Sequence, residues 1–237
     1  PGSGKTRVIA HKIAHELERY AATKKIVVAL TYTNRAADEI KKRVARFDMD
    51  ISDLWTGTIH SFCLEWIISP YAGYNDNLKS GFSIVDEFES EDLITELKSK
   101  HGISRFASIK RVYNLRGGFD TNDIRFIPLL EEYKEIIHLD KKIDFDDILF
   151  YSYKLLVDNP VISIRLSHLF PLICVDEYQD TQELQYAILA EIVKANKNNT
   201  KVFIVGDVSQ AIYGGIGGIA KSKKEISNQF GGIESSN

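Results

Sequence analysis

The sequence predicts an α/β fold: a parallel sheet flanked by helices, carrying a mostly helical insertion. Three short runs, at 26–30, 172–175 and 202–205, are apolar throughout. Continuous rather than alternating hydrophobicity is expected of parallel strands that helices cover on both faces. Helix-like segments separate these runs, and strands that alternate with helices imply an open α/β sheet.

The elements before the insertion are a helix, a strand and a second helix. Residues 5–20 repeat apolar side chains at near-helical intervals, which predicts the first helix. Residues 36–47 place Ile40, Val44 and Phe47 on one stripe and most of their basic residues elsewhere, which predicts the second.

The middle of the chain, from about residue 69 to 143, is rich in charged, helix-favouring residues. We predict helices at 87–100, 104–114 and 122–139, and a strand only at 82–85. This segment is therefore interpreted as a helical insertion within the α/β domain. After a glycine-rich stretch that begins at Gly214, a further helix is expected near residues 222–230.

The bulk composition is that of an ordinary globular protein of 237 residues, 44% hydrophobic and 27% charged. The formal charge of −3 gives no global basic surface, so any contact with nucleic acid must come from a local patch. No apolar run approaches the ~20 residues that a membrane helix needs, and no signal-peptide pattern opens the chain. Cys63 and Cys174 lie among apolar neighbours and are expected to be buried and structural, which fits a cytoplasmic protein without a membrane partner.

The first residues, Pro-Gly-Ser-Gly-Lys-Thr at 1–6, look like the back half of a phosphate-binding loop. Glycines allow backbone N–H groups to close around phosphate oxygens, and the following helix directs its positive end at them. Lys5 is expected to reach the β and γ phosphates and Thr6 to ligate Mg²⁺. The alternative is a glycine-rich turn that only caps a helix. Because the front half of the loop is missing, we expect the sequence to be a fragment with residues upstream.

A second candidate element is the acidic pair Asp176 and Glu177, which follows the apolar run at 172–175. Open α/β sheets bind ligands at the carboxyl ends of their strands. Asp176 suits a magnesium shell, and Glu177 is placed to orient and deprotonate an attacking water. The alternative is an acidic turn with a helix cap.

A third candidate is Gln210, which follows the run at 202–205. A glutamine amide both donates and accepts hydrogen bonds, so it can sense a γ-phosphate or its attacking water. Asp176 lies 171 positions after Lys5, a spacing for which small GTPases and nucleotide kinases have no room.

Six motifs, taken in order, carry a family resemblance. They are PGSGKTR, TYTNRAADEIKKRV, GTIHSFC, DFDDIL, VDEYQDTQ and VGDVSQAIYG. The set resembles the ordered motifs of the UvrD/Rep/PcrA branch of superfamily-one DNA helicases, in their N-terminal ATP-binding region, and runs from one end of the chain to the other. The resemblance implies a RecA-like P-loop domain with a helical accessory insertion, and ATP hydrolysis coupled to movement on single-stranded DNA, usually 3′ to 5′.

The resemblance also implies roles for individual residues. The ATP site would comprise Gly2, Ser3, Gly4, Lys5, Thr6, Arg7 and Gln210, with Arg7 against the adenine, Lys5, Glu177 and Gln210 as catalytic residues, and Thr6 and Asp176 on Mg²⁺. The DNA groove would comprise Tyr32, Thr33, Asn34, Thr58, His60 and Tyr213. Aromatic rings give sequence-tolerant base stacking, and hydroxyls and amides hold phosphates.

Structural alternatives remain open for several of these residues. Tyr32 and Tyr213 are also compatible with core or interface packing, and His60 with a hydrogen bond at a helix start. The acidic residues of DFDDIL, which are Asp144, Asp146 and Asp147, are also compatible with a purely structural role at a helix N-terminus. After Tyr213 the family commonly has an aromatic residue and an arginine, where this chain has Gly215 and Ile216, so the resemblance supports ATP hydrolysis more strongly than processive unwinding.

These inferences divide the chain into residues 1–68 and 144–237, two parts of a RecA-like ATP-binding domain, and 69–143, the helical accessory insertion. The partners implied are single-stranded DNA or a single-strand/duplex junction, a second RecA-like domain of the same protein, and a nuclease or repair protein. Without that second domain, we expect the isolated piece to hydrolyse ATP poorly and to unwind nothing. The alternatives are a helicase–nuclease fusion and an ATP-gated DNA-binding or defence protein that does not unwind.

Overall fold

The computed structural model of the protein describes residues 4–177, 181–196, 199–206 and 223–230. Its strands are β1 (Val27–Thr31), β2 (Leu54–Thr58), β3 (Ser83–Ile84), β4 (Val112–Tyr113), β5 (Phe119–Asp120), β6 (Lys142–Ile143), β7 (Leu172–Asp176) and β8 (Lys201–Val205). Its helices are α1 (Lys5–Tyr20), α2 (Asn34–Val44), α3 (Ile59–Phe62), α4 (Ser69–Tyr71), α5 (Glu87–Lys100), α6 (Ile127–Leu139), α7 (Phe145–Asp158), α8 (Pro160–Leu169), α9 (Glu183–Ala195) and α10 (Lys223–Gln229). A π-helical stretch, Cys63–Ile68, joins α3 to α4.

The main sheet is parallel, in the order β2-β1-β7-β8. Every residue of β1 is buried, and its side chains alternate between two cores. Val27 and Ala29 face a cluster formed with α1 and α2, whereas Val28 and Leu30 face a cluster formed mainly with α7, α8 and α9. Helices thus cover both faces, and the predicted α/β fold class is confirmed.

Strand β2 was missed by the sequence patterns because its residues are only partly apolar. It pairs with β1 on one side, and Leu54 is its buried apolar anchor. The indole of Trp55 folds back over Gly57, where a β-carbon would lie 2.5 Å from a ring carbon. Trp55 Nε1 also donates to Glu65 Oε2 at 2.9 Å. A side chain at position 57 would therefore displace the indole.

The insertion contains an apolar cluster of its own between α5 and α6. Its buried members are Ile94, Leu97, Phe126, Leu129, Leu130, Tyr133 and Ile137. Strand β3 pairs in parallel with β6, and β4 pairs in antiparallel fashion with β5.

The predicted helix at 104–114 is wrong. Residues 103–111 form turns and extended chain, and β4 then enters a hairpin with β5. Asn114 determines this turn, since its Oδ1 accepts from the N–H groups of Arg116 at 2.8 Å and Gly118 at 3.2 Å. Gly117 has a φ of 87°, a left-handed conformation that suits glycine.

Other predicted boundaries shift by a few residues. The helix predicted at 122–139 begins at Ile127, because a 3₁₀ turn at Ile124–Phe126 precedes it and Pro128 occupies its first turn. The helix predicted at 36–47 ends at Val44 and is followed by a 3₁₀ turn. The cysteine prediction is confirmed, since Cys63 and Cys174 are both free and buried. Within the described ranges, every helix is too short or too polar to cross a membrane.

Candidate nucleotide and DNA site

The carboxyl ends of β1, β2 and β7 meet around a cavity of about 250 Å³. The floor of the cavity is apolar and its rim is polar. Its lining residues are Leu30, Thr31, Tyr32, Thr58, Ile59, His60, Val175, Asp176, Glu177, Thr181, Gln185 and Leu189. Asp176 and Glu177 thus share one cavity with Tyr32, Thr58 and His60, three of the residues predicted to bind DNA.

The acidic pair ends β7 in a constrained turn. Asp176 is the last residue of the strand, and its Oδ1 accepts from the Glu177 N–H at 3.0 Å. Glu177 has a φ of 55°, the left-handed region that costs a non-glycine residue roughly 1–2 kcal/mol. Backbone strain of this kind collects at functional sites, where the surrounding structure maintains it.

The start of α1 has the local geometry of an anion-binding turn. Gly4 precedes the helix with a φ of 74°, and its carbonyl accepts from the N–H groups of Arg7 at 3.0 Å and Val8 at 3.1 Å. A β-carbon at Gly4 would meet nothing within 4 Å, so the backbone conformation, not crowding, calls for glycine here. The N–H groups of Lys5 and Thr6 precede the first of these bonds, and the helix dipole favours an anion at this end. Thr6 is half-buried and Arg7 is exposed.

The direction of α1 places its first turn at the same edge of the sheet as Asp176. Near the other end of the helix, Glu16 Oε1 lies 3.8 Å from the Nζ of Lys201, the residue that begins β8. Lys201 aligns with Leu172, the first residue of β7. From this amino edge, α1 runs back to Lys5 over roughly 16 Å, at ~1.5 Å per residue, and β7 runs forward to Asp176 over roughly 13 Å. Both therefore reach the carboxyl edge.

Several predicted site residues lie outside the described residues. They are Gly2, Ser3, Gln210, Tyr213 and the side chain of Lys5. Gly215 and Ile216, where the sequence differs from the family pattern, also lie outside the described residues.

Two of the predicted DNA residues, Thr33 after β1 and Thr58 at the end of β2, also cap the helices that follow. Thr33 caps α2 by accepting from the Ala36 N–H at 3.2 Å. Thr58 caps α3 by accepting from the Ser61 N–H at 3.3 Å. Tyr32 is 46% exposed at the rim of the cavity. Thr33 and Asn34 are exposed but do not line the cavity.

His60 is held in a half-buried position beside an aromatic ring that the sequence analysis did not single out. The ring of Phe145 contacts the imidazole edge to face, at 5.3 Å between centroids. Burial lowers the pKa of His60 to about 4. Phe145 belongs to the DFDDIL motif, so the sequence did contain a pattern that pointed to it. Thr181 and Gln185, which line the cavity from the start of α9, carry no such signal.

The depressed pKa of His60 predicts a loss of stability in mild acid. The unfolded chain takes up a proton near pH 6.5, whereas the folded protein resists protonation until about pH 4. We expect the free energy of unfolding to fall by about 1–2 kcal/mol from this group between pH 7 and pH 5. His60→Gln should remove that part of the fall, measured by urea unfolding at both pH values. An identical pH dependence in wild type and variant would contradict the prediction.

The structural alternative for the DFDDIL acids is confirmed for two of them. Asp144 caps α7 by accepting from the Asp147 N–H at 2.9 Å, and Asp147 accepts from the Asp144 N–H at 3.1 Å, which together form a capping box. Asp146 also lies in the first turn of α7, but burial and the neighbouring charge of Asp144 raise its pKa, so the helix dipole does not outweigh them.

A parallel sheet with helices on both faces, a glycine turn at the start of α1 and adjacent carboxylates at the end of β7 define an α/β fold of the P-loop class. The model of the UvrD/REP helicase N-terminal domain matches residues 1–230. The chain therefore belongs to this family, and the family resemblance of its motifs is confirmed.

Three curated relatives each align with 90% of the chain. It is 30% identical over 240 residues to the ATP-dependent DNA helicase UvrD1 of Mycobacterium leprae, covering 31% of that protein. It is 32% identical over 226 residues to the ATP-dependent DNA helicase Rep of Buchnera aphidicola, covering 33% of it. It is 28% identical over 230 residues to the ATP-dependent DNA helicase PcrA of Staphylococcus aureus, covering 31% of it. The chain thus spans about a third of the length of the curated relatives it matches.

Proposed function

We propose that this chain is the first ATP-binding lobe of an ATP-dependent DNA helicase that translocates on single-stranded DNA in the 3′ to 5′ direction. The observation that carries the proposal is the shared cavity. The carboxylates suited to ATP hydrolysis, Asp176 and Glu177, line it together with Tyr32, Thr58 and His60. Because both sets of residues line the same cavity, DNA binding and ATP hydrolysis can affect each other over a short distance.

The residues at the nucleotide edge fit ATP with Mg²⁺. Gly4 opens α1 in a left-handed turn, so N–H groups at the helix start are available to phosphate oxygens. The Thr6 hydroxyl and the Asp176 carboxylate are hard oxygen ligands of the type that Mg²⁺ prefers. When bound, ATP and Mg²⁺ supply the phosphoryl group and the charge that screens it. Lys5 and Gln210 are assigned to the phosphates, as are the backbone groups of Gly2 and Ser3, and Arg7 is assigned to the adenine.

Glu177 is assigned as the general base. It follows the last residue of β7 directly, its N–H donates to Asp176, and it lines the cavity at the end of the strand. There it orients the attacking water and takes a proton from it on a carboxylate oxygen. The two adjacent carboxylates therefore have separate roles: Asp176 binds Mg²⁺, and Glu177 acts on the attacking water.

The same proposal divides the chain into residues 1–68 and 144–237 for the ATP-binding domain and 69–143 for the accessory insertion. The separate apolar cluster around Tyr133 supports an insertion with a core of its own. A second RecA-like domain is the expected intramolecular partner.

The experiment that tests the proposal uses the full-length protein. ATPase activity is measured with and without oligo(dT), and strand displacement is measured on duplexes with 3′ or 5′ single-stranded tails. DNA-stimulated hydrolysis with displacement from 3′ tails is expected. Hydrolysis that DNA does not stimulate would contradict the proposal, and DNA-stimulated hydrolysis without displacement would favour an ATP-gated DNA-binding protein.

Tyr32→Ala is expected to weaken oligo(dT) binding by roughly 1–3 kcal/mol, the value of one base–aromatic stack. Tyr32 is 46% exposed at the rim of the cavity. Fluorescence anisotropy without nucleotide measures the effect. Tyr74→Ala is the matched control, because Tyr74 is an exposed tyrosine that does not line the cavity. Equal affinities of the two variants would remove Tyr32 from the DNA site.

A further inference from the structure

A buried lysine of the insertion pairs with the start of α7, the helix whose first residue contacts His60. Lys134, in α6, is 5% exposed, and its Nζ lies 2.6 Å from Asp144 Oδ1 and 2.9 Å from Asp147 Oδ1 at the start of α7. The same ammonium lies 4.8 Å from the centroid of the Tyr113 ring. Although burial opposes the charged form, the two carboxylates raise the pKa of Lys134. The lysine is thus a charged link between the insertion and α7.

The carboxylate of Asp147 is fully buried and has partners on several sides. Besides Lys134, it accepts from the Tyr113 hydroxyl at 3.2 Å and lies 3.0 Å from His138 Nε2, in addition to its bond with the Asp144 N–H. Burial opposes its charge, but the hydrogen bond with His138 and the charge of Lys134 lower the pKa of Asp147. Because these partners come from α6 and β4, the first turn of α7 cannot shift without separating buried charges.

The first residue of α7 lies between these anchors and the cavity. Phe145 follows Asp144 directly, remains 55% exposed, and contacts the ring of His60. His60 in turn lines the cavity beside Glu177. A continuous series of contacts therefore runs from Lys134 through the capping residues of α7 and Phe145 to His60.

We propose that Lys134 is a positioning residue for the candidate DNA groove, because its ion pairs with Asp144 and Asp147 hold Phe145 against His60. The consequence for DNA binding rests on the proposed function. The insertion then sets the shape of the groove from a distance, through α7, and a change in the placement of α6 reaches His60 without any contact between Lys134 and DNA.

The test measures how well His60 is covered, in the full-length protein. Lys134→Met keeps a long aliphatic side chain and removes the charge. The control is Lys100→Met, which breaks an exposed ion pair between α5 and Glu132 of α6 and leaves Asp144 untouched. Diethyl pyrocarbonate modifies accessible imidazoles, and mass spectrometry follows the rate at His60. His11 and His15, both exposed on α1, are internal references that would report general unfolding.

We expect Lys134→Met to raise the relative modification rate of His60 by about tenfold, as a local opening of the α7 start requires, and Lys100→Met to leave it unchanged. Phe145→Ala should raise the rate similarly, and the double variant should add little, because both changes uncover the same ring. A folded Lys134→Met protein in which His60 reacts at the wild-type rate would overturn the proposal. If Lys134→Met does not fold, Asp144→Asn provides the same test, because it removes one carboxylate partner while keeping an oxygen to cap α7.

DNA binding distinguishes failure of this inference from failure of the proposed function. Lys134→Met is expected to weaken oligo(dT) binding about tenfold, the effect of losing one hydrogen bond to a charged group, with ATP affinity unchanged. If His60→Gln and Lys134→Met both bind oligo(dT) normally while the His60 modification rate still rises, the positioning of Phe145 stands and the DNA role of the cavity is lost. If oligo(dT) binding depends on His60 but not on Lys134, the DNA role stands and the positioning role is overturned.

Discussion

Glu177→Gln in the full-length protein is expected to lower kcat for DNA-stimulated ATP hydrolysis by about 10²–10⁴-fold, the usual contribution of a general base. The amide has nearly the same shape as the carboxylate but cannot take the proton of the attacking water. The hydrogen bond from the Glu177 N–H to Asp176 Oδ1 uses only the backbone of Glu177, so the substitution leaves both of its atoms in place. ATP binding should therefore persist, which equilibrium binding of a fluorescent ATP analogue would measure.

The matched control for this variant is Glu183→Gln. Glu183 lies in the first turn of α9, close in sequence to Glu177, but it does not line the cavity. Its kcat should remain within about twofold of wild type, because a surface-type substitution away from the chemistry changes little. Wild-type turnover by Glu177→Gln would show that the general base has been assigned to the wrong residue.

Asp147→Ala is expected to lower the free energy of unfolding by about 3–5 kcal/mol, the effect of removing one partner from a buried ion pair. Asp147 is fully buried and holds Lys134, His138 and Tyr113 together at the start of α7. The variant leaves Lys134 with one carboxylate and removes half of the capping box. Urea unfolding at pH 7, followed by tryptophan fluorescence, measures the loss.

The pH dependence of this effect follows from the direction of the pKa shift. The folded pKa of Asp147 lies below its unfolded value, so its contribution is present above about pH 4 and is lost as the pH falls through the folded pKa. The neighbouring Asp146 serves as a control because its pKa shifts in the opposite direction: burial and the charge of Asp144 raise it. Asp146→Asn should leave stability at pH 7 unchanged or increased. Equal losses from Asp146→Asn and Asp147→Ala would contradict the assignment.

Much of the sheet and the carboxylate edge could be predicted from the sequence, because both depend on local patterns. The runs that became β1, β7 and β8 are apolar throughout, although β8 is only partly buried, and a carboxylate pair that follows such a run must lie at the edge of the sheet. Strand β2 was not predicted because its residues are only partly apolar, and one of its two buried residues is Gly57, which the Trp55 indole covers. The helix predicted at 104–114 failed because the Asn114 turn directs the chain into a hairpin.

The contacts between distant segments could not be predicted. Lys134 looks like any helix-surface lysine in the sequence, and only the approach of α7 makes it a buried ion-pair partner. The contact of Phe145 with His60 joins residues 85 positions apart. Such contacts depend on how the insertion packs against the rest of the domain. The hydrophobic periodicity of the contacting segments contains no information about that packing.

The middle of the sheet is formed by strands that are far apart in the chain. In the β1–β7 pair, Leu172 aligns with Val27 although it lies 145 positions later. The entropy lost on closing such a loop grows only logarithmically, by ~0.6 kcal/mol for each doubling of loop length. Extra residues between β2 and α7 therefore change the free energy of folding little, and this part of the chain can lengthen or shorten over evolution while the sheet edge at Asp176 keeps its geometry.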